Sequence, residues 1–123
     1  FAGGRVKFLP NNVTDPKEKE KYGDRVDGRN LIEEWKEKMT RLNVTHKYIW
    51  NKEQFDRDLN QNFDHVLGLF NYNDMDYETD RLEKKPIEEP SISEMSNKAI
   101  DLLSQNPNGF FLFVHDGKID SVR

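Results

Sequence analysis

Apolar positions fall into a few short blocks separated by long polar stretches, and the spacing inside each block predicts its conformation. Leu31, Ile32, Trp35, Met39 and Leu42 lie on one side of a 3.6-residue period, while Glu33, Glu34, Lys36, Glu37 and Lys38 fall largely elsewhere. That is the pattern of an amphipathic surface helix. Asn30 stands where its side chain can accept from the exposed amides of the first turn, with Glu33 at the capping-box position. The run Lys47-Tyr48-Ile49-Trp50 then reads as a short strand, and Asn51 as the cap of a second helix with Gln54 at the box position and Phe55 and Leu59 facing inward. His65-Val66-Leu67-Gly68-Leu69-Phe70 is a further strand, and strand, helix and strand in so few residues predict a small parallel unit. Ser91 and Glu94 form a second box ahead of a helix built on Ile92, Met95, Ala99, Leu102 and Leu103. Last comes Phe110-Phe111-Leu112-Phe113-Val114, bounded by the turn signal Asn106-Pro107-Asn108-Gly109. A continuous apolar run of this kind predicts a strand buried on both faces.

The polar stretches add candidate chemistry. Phe1-Ala2-Gly3-Gly4-Arg5 reads as the end of a strand entering a glycine turn, followed by a short extended segment from Val6 to Pro10. Residues 11–23, with Asp15-Pro16 followed by alternating Lys and Glu, read as a solvated loop or short exposed helix. Residues 71–90 form a connection long enough to be functional in its own right. It supplies the oxygen ligands that hard cations such as calcium prefer, from Asn71, Asp74, Asp76, Glu78, Asp80, Glu83, Glu88 and Glu89, although not at EF-hand spacing. His115, Asp116 and Asp120 crowd the carboxyl end of the last apolar run, the edge of an open α/β sheet where ligands bind.

Composition changes the picture in one respect. Of 123 residues only 34% are hydrophobic, 34% are charged, and the mean hydropathy is -0.97. Such a chain builds a modest core, and the pattern suits a piece of a larger protein whose other parts cover residues 110–114. A net charge of -4 with both signs interspersed offers no basic stripe and argues against nucleic acid. No apolar run is long enough to span a bilayer. The absence of cysteine removes disulfides and thiolate metal sites from this chain. Asn12-Val13-Thr14 and Asn43-Val44-Thr45 are glycan acceptors if the protein is secreted.

Several landmarks together resemble the animal alkaline phosphatases, particularly the insect form. They are Asp27-Gly28-Arg29-Asn30-Leu31-Ile32-Glu33-Glu34-Trp35, then Gly68-Leu69-Phe70 with Asp74-Met75 and Tyr77-Glu78, then Pro90-Ser91 with Glu94-Met95, then residues 106–114. They occur in the family's order and cover essentially the whole chain. The resemblance implies an internal fragment, roughly a quarter, of an α/β protein of the alkaline-phosphatase-like three-layer sandwich. Residues 1–90 would be a peripheral calcium-binding region, and residues 91–123 one helix and strand of the core sheet.

The family hydrolyses phosphate monoesters through a phosphorylated serine, with zinc and magnesium as cofactors. By this resemblance Asp120 matches a zinc-ligating aspartate. His115 stands where the family has a magnesium-binding glutamate, and an imidazole suits an octahedral oxygen site poorly. The calcium positions map onto the Phe70 carbonyl, Asn71, Glu89 and, across the polar loop, Glu18. Asn71 replaces a glutamate, removing one negative charge, and Glu89 replaces an aspartate. The serine nucleophile has no counterpart here, so this chain alone is expected to be inactive. The resemblance further implies a secreted or glycolipid-anchored cell-surface homodimer. The substitutions at His115 and Ser121 define the alternative: a catalytically inactive relative that keeps the calcium region as a structural or interaction module.

Overall fold

Two short parallel strands organise the chain. In the computed structural model, which describes residues 1–118, β1 (His46–Ile49) pairs with β2 (His65–Gly68), His46 opposite His65 and Ile49 opposite Gly68. Between them α2 (Lys52–Asp58) makes the crossover. Its cap forms as the sequence indicates: the Asn51 side chain accepts from the Gln54 amide at 2.8 Å, while the Gln54 side chain reaches back to the Trp50 amide at 2.9 Å. Ahead of the sheet, α1 (Leu31–Arg41) is capped by Asn30 and packs against β1, burying Ile32 and Met39. Leu42, expected on the buried face, lies past the last turn and is exposed.

The N-terminal segment adds a further parallel bridge, Ala2 to Leu69, with the Ala2 amide on the Gly68 carbonyl and the Phe70 amide on the Ala2 carbonyl, both at 2.8 Å. Beyond it the chain departs from the expected extended course. Arg5–Lys7 is a turn of 3-10 helix, because the Arg5 and Val6 amides are taken by the carbonyls of Asn71 and Tyr72 at 3.1 and 3.0 Å and wind the backbone around that loop. The 71–90 connection also holds structure of its own, the short helix α3 (Glu78–Glu83). The last helix, α4 (Ile92–Leu103), opens on the complete Ser91/Glu94 capping box. Lys52 joins α2 to it through Glu94 at 3.1 Å.

Two apolar clusters sit on the two sides of this unit. Ile49, Phe55, Leu59 and Phe70 form one, and Leu9, Ile32 and Leu69 the other. The α/β class is as expected, but the final apolar run forms no strand. Among the described residues nothing pairs with residues 110–114, and Phe111 and Phe113 stand 87% and 75% exposed. A strand of this composition is defined by neighbours on both edges and both faces, and the described residues supply none. No helix among them is long and apolar enough to cross a membrane.

The polar loop returns to the core at Gly23. A Cβ there would lie 2.0 Å from the Leu9 carbonyl oxygen and 2.2 Å from its carbon. Backbone cannot yield as a flexible side chain does, so Gly23→Ala is expected to destabilise the protein by about 2 kcal/mol or more. A melting temperature within a degree of the parent would show that the two segments part without cost.

Candidate functional site

An open cleft of about 630 Å³ lies between the N-terminal glycines, the loop after β2 and the start of α4. Pro90 and Ser91, which lead into α4, line it, and so does Glu89, the last acid of the connection and only 2% exposed. The Glu89 carboxylate accepts the Asp76 amide at 2.5 Å and the Asn71 side-chain amide at 3.1 Å. The same Asn71 amide reaches the Asp76 carboxylate at 3.5 Å. Burial pushes the Glu89 carboxyl above its ordinary range, against the pull of those two donors.

The surroundings are held by cations that the sequence reading missed. Arg81, buried on α3, forks onto Glu78 at 2.7 and 2.8 Å and donates to the Glu89 carbonyl at 3.3 Å, fixing the backbone that presents the acid. Lys84 pairs with Asp76 and lies 3.6 Å from Glu88. Lys17 pairs with Glu88 at 2.6 Å, which fastens the distant polar loop to this edge. The Lys17 hydrogen bond is the main reason the Glu88 carboxyl sits below its usual range. A signal for part of this was present in the spacing, since Glu78 and Arg81 form an i,i+3 pair within one helix, whereas Lys84 and Glu88 meet across a non-helical segment.

Of the oxygen ligands in the connection, the structure brings Asn71, Asp76 and Glu89 together. Asp74 lines the cleft, Glu78 is engaged by Arg81, and Asp80 and Glu83 face solvent. Phe70 is buried, with its amide on the Ala2 carbonyl; its own carbonyl receives no hydrogen bond among the described residues. Glu18 does not join the cluster; its carboxylate pairs with Lys21 at 3.2 Å. His115 is exposed, stacked on Phe113 at 6.2 Å, and with Asp116 lines the same cleft. Asp120 and Ser121 lie outside the described residues. The acceptor asparagines of both sequons, Asn12 and Asn43, are exposed.

Glu89 is a buried carboxylate with no cation at ion-pair distance among the described residues, satisfied by the Asp76 and Asn71 amides, and carboxylate, amide and carbonyl oxygens are the ligands that calcium takes. Asn71 presents its nitrogen to Glu89 while its oxygen accepts the Asn73 amide at 3.2 Å, so the oxygen turns toward Glu89 only by giving up that bond. No group of three or more His, Cys, Asp or Glu side chains among the described residues is arranged to hold a metal by itself.

Comparison with known proteins bears on this geometry. The sequence profile of the family described as alkaline phosphatase matches residues 1–123. A membrane-bound alkaline phosphatase of Bombyx mori is 42% identical over 120 residues, covering 98% of this chain and 21% of the relative. An alkaline phosphatase of Gadus morhua is 40% identical over 123 residues, and the human tissue-nonspecific isozyme likewise 40%, with 25% and 23% of their lengths covered. The chain thus spans about a fifth to a quarter of the relatives it matches.

Proposed function

Because this chain belongs to the alkaline phosphatase family, we propose that it is part of a metal-dependent hydrolase of phosphate monoesters that acts through a phosphoserine intermediate. The observation that carries the reading is the match along the whole chain at about 40% identity. In this reading the chain supplies scaffold and metal ligands, and the serine nucleophile belongs to another part of the protein. Residues 1–90 are the peripheral region, and residues 91–123 the helix and strand of the core sheet. The exposure of Phe111 and Phe113 supports that division, since apolar rings at these positions call for neighbouring strands.

Asp120 is the zinc ligand of this proposal, and the Phe70 carbonyl, Asn71 and Glu89 hold calcium, with Glu18 as a fourth ligand once released from Lys21. Zinc, when bound, supplies Lewis-acid stabilisation of the charge that builds on the transferring phosphoryl group. Asn12 and Asn43 carry glycans on a cell-surface, lipid-anchored homodimer, a placement in keeping with the membrane-bound insect relative. The histidine at the position expected for magnesium favours a second reading, an inactive relative that keeps the peripheral module.

Asp120→Asn in the protein that contains this chain separates the two. A neutral amide is a poor zinc ligand, so the variant is expected to lose bound zinc and to hydrolyse phosphate monoesters at least about a hundredfold more slowly than its parent. Unchanged zinc content and turnover would remove Asp120 from the site. A parent with no turnover at all would favour the inactive relative.

A further inference from the structure

Tyr77 stands at the N-cap of α3, yet its side chain makes no capping hydrogen bond. A tyrosine has no short acceptor for the exposed amides of a first turn, so capping does not account for it. The residue is half-buried and lines the cleft between the N-terminal glycines and the start of α4. The end of the described chain reaches the same cleft, through His115, Asp116, Gly117 and Lys118. Residues 113–117 are exposed, and Lys118 alone of this stretch is half-buried, with its ammonium 4.2 Å from the centre of the Tyr77 ring.

We propose that Tyr77 and Lys118 form a clasp across the cleft, and that Lys118 is a positioning residue: seated on the ring, it fixes the carboxyl end of the final apolar run against the acidic connection. The proposal rests on the phosphatase reading given above, in which that run belongs to the core sheet and Asp120, two residues on, to the reacting site.

The separation lies well inside the roughly 6 Å over which an ammonium is drawn to an aromatic face, and partial burial strengthens the attraction by removing water from it. The backbone is bent to suit. The Lys118 amide donates to the Asp116 carboxylate at 3.1 Å, closing a turn at residues 117–118 that brings the lysine back to the cleft. Tyr77 is held from its own side as well. Its carbonyl accepts the Arg81 amide at 2.8 Å, and the Arg81 guanidinium grips Glu78 and the Glu89 carbonyl, so the ring is mounted on an anchored helix start rather than on a free loop. Two residues span at most about 7 Å of chain. A fixed Lys118 therefore limits where the acid that follows it can travel, and a freed one does not.

The test is hydrogen exchange and steady-state hydrolysis of p-nitrophenyl phosphate by the protein that contains this chain, for the parent and for Lys118→Gln, Tyr77→Leu, the double variant, Lys118→Arg and Lys85→Gln. Lys118→Gln and Tyr77→Leu are each expected to speed exchange of the amides of residues 115–118 about tenfold, the scale of one half-buried cation–aromatic pair. Each is also expected to lower kcat about tenfold while KM stays within about twofold, because a misplaced reacting group costs turnover rather than substrate binding. The double variant is expected to match the single ones instead of multiplying them. Lys118→Arg, whose guanidinium also stacks on an aromatic face, is expected to keep both readouts near the parent. Lys85→Gln removes the same charge from an exposed residue and is expected to change neither. Parent-like exchange and kcat in Lys118→Gln, with turnover still lost in Asp120→Asn, would overturn the clasp and leave the phosphatase reading standing. Multiplying effects in the double variant, or faster exchange with kcat unchanged, would also overturn it. A parent without turnover would overturn the positioning role together with the reading it rests on.

Discussion

Asp15→Ala is expected to destabilise the fold by about 3–5 kcal/mol, because removing one partner of a buried ion pair strands the other charge. Arg5 and Asp15 both have side chains at 0% exposure, joined by two bonds of 2.7 and 2.9 Å. The rest of the guanidinium is spent on the Leu69 carbonyl at 2.7 Å and on the face of Trp50 at 5.8 Å. Asp15 also accepts the amides of Lys17 and Glu18 at 2.9 Å. Truncation therefore leaves a buried cation and two amides without their acceptor, and the loop that carries Lys17 toward Glu88 loses its anchor. Asp15→Asn is expected to cost less, since an amide oxygen still accepts. Urea denaturation of the two variants is the measurement, and a loss below about 1 kcal/mol for Asp15→Ala would mean that water reaches Arg5.

The same pair fixes a pH dependence. Burial pushes the Asp15 carboxyl up, but the Arg5 hydrogen bond and the two amides together outweigh it, and its pKa lies below the ordinary value. A group depressed in the folded state stabilises fully above its unfolded pKa, and that contribution is lost as pH falls through the lowered folded value. Acid unfolding of the parent is thus expected to steepen below the ordinary carboxylate range, about 3.9 for a free aspartate. Asp15→Asn should lack that component.

Asp15 also shows where the sequence stops being legible. It lies within an almost wholly polar run, and nothing in the run distinguishes it from the exposed Lys19 and Glu20. Its burial comes from Arg5 ten residues earlier, whose guanidinium is itself held by the Leu69 carbonyl, contacts that exist only once the chain has closed on the sheet. The helices that could be read carry their instructions locally: the Asn30, Asn51 and Ser91 caps each bond within three residues, and a side chain three positions away is visible in the sequence. The acidic connection is intermediate. Its composition reads as a supply of oxygen ligands, but only the fold brings Asn71, Asp76 and Glu89 into contact and assigns Glu78 to Arg81. For residues 110–114 the pattern is that of a strand while no pairing partner stands among the described residues, and a strand's stability resides in its neighbours rather than in its own residues.

Phe55→Ala is expected to cost about 3–5 kcal/mol, the range for deleting a buried aromatic side chain. The helix that carries it, α2, has only 7 residues, too few to persist in water without tertiary packing. Phe55 provides that packing. Its ring stands edge-on to Phe70 at 5.7 Å and to Phe1 at 5.6 Å, a three-ring stack closed by Ile49 and Leu59. Edge-to-face pairs add about 0.5–1.5 kcal/mol each beyond their buried area, so an aliphatic replacement recovers only part of the loss. Phe70 is also the residue whose carbonyl is proposed to hold the cation, so loosening the packing of its ring bears on that carbonyl too. Phe55→Ala should therefore reduce the calcium-induced rise in melting temperature as well as the baseline. Phe55→Leu, which keeps most of the volume, should restore more of the baseline than of the calcium response. Equal recovery of both would show that the aromatic stack fills space without orienting the Phe70 backbone.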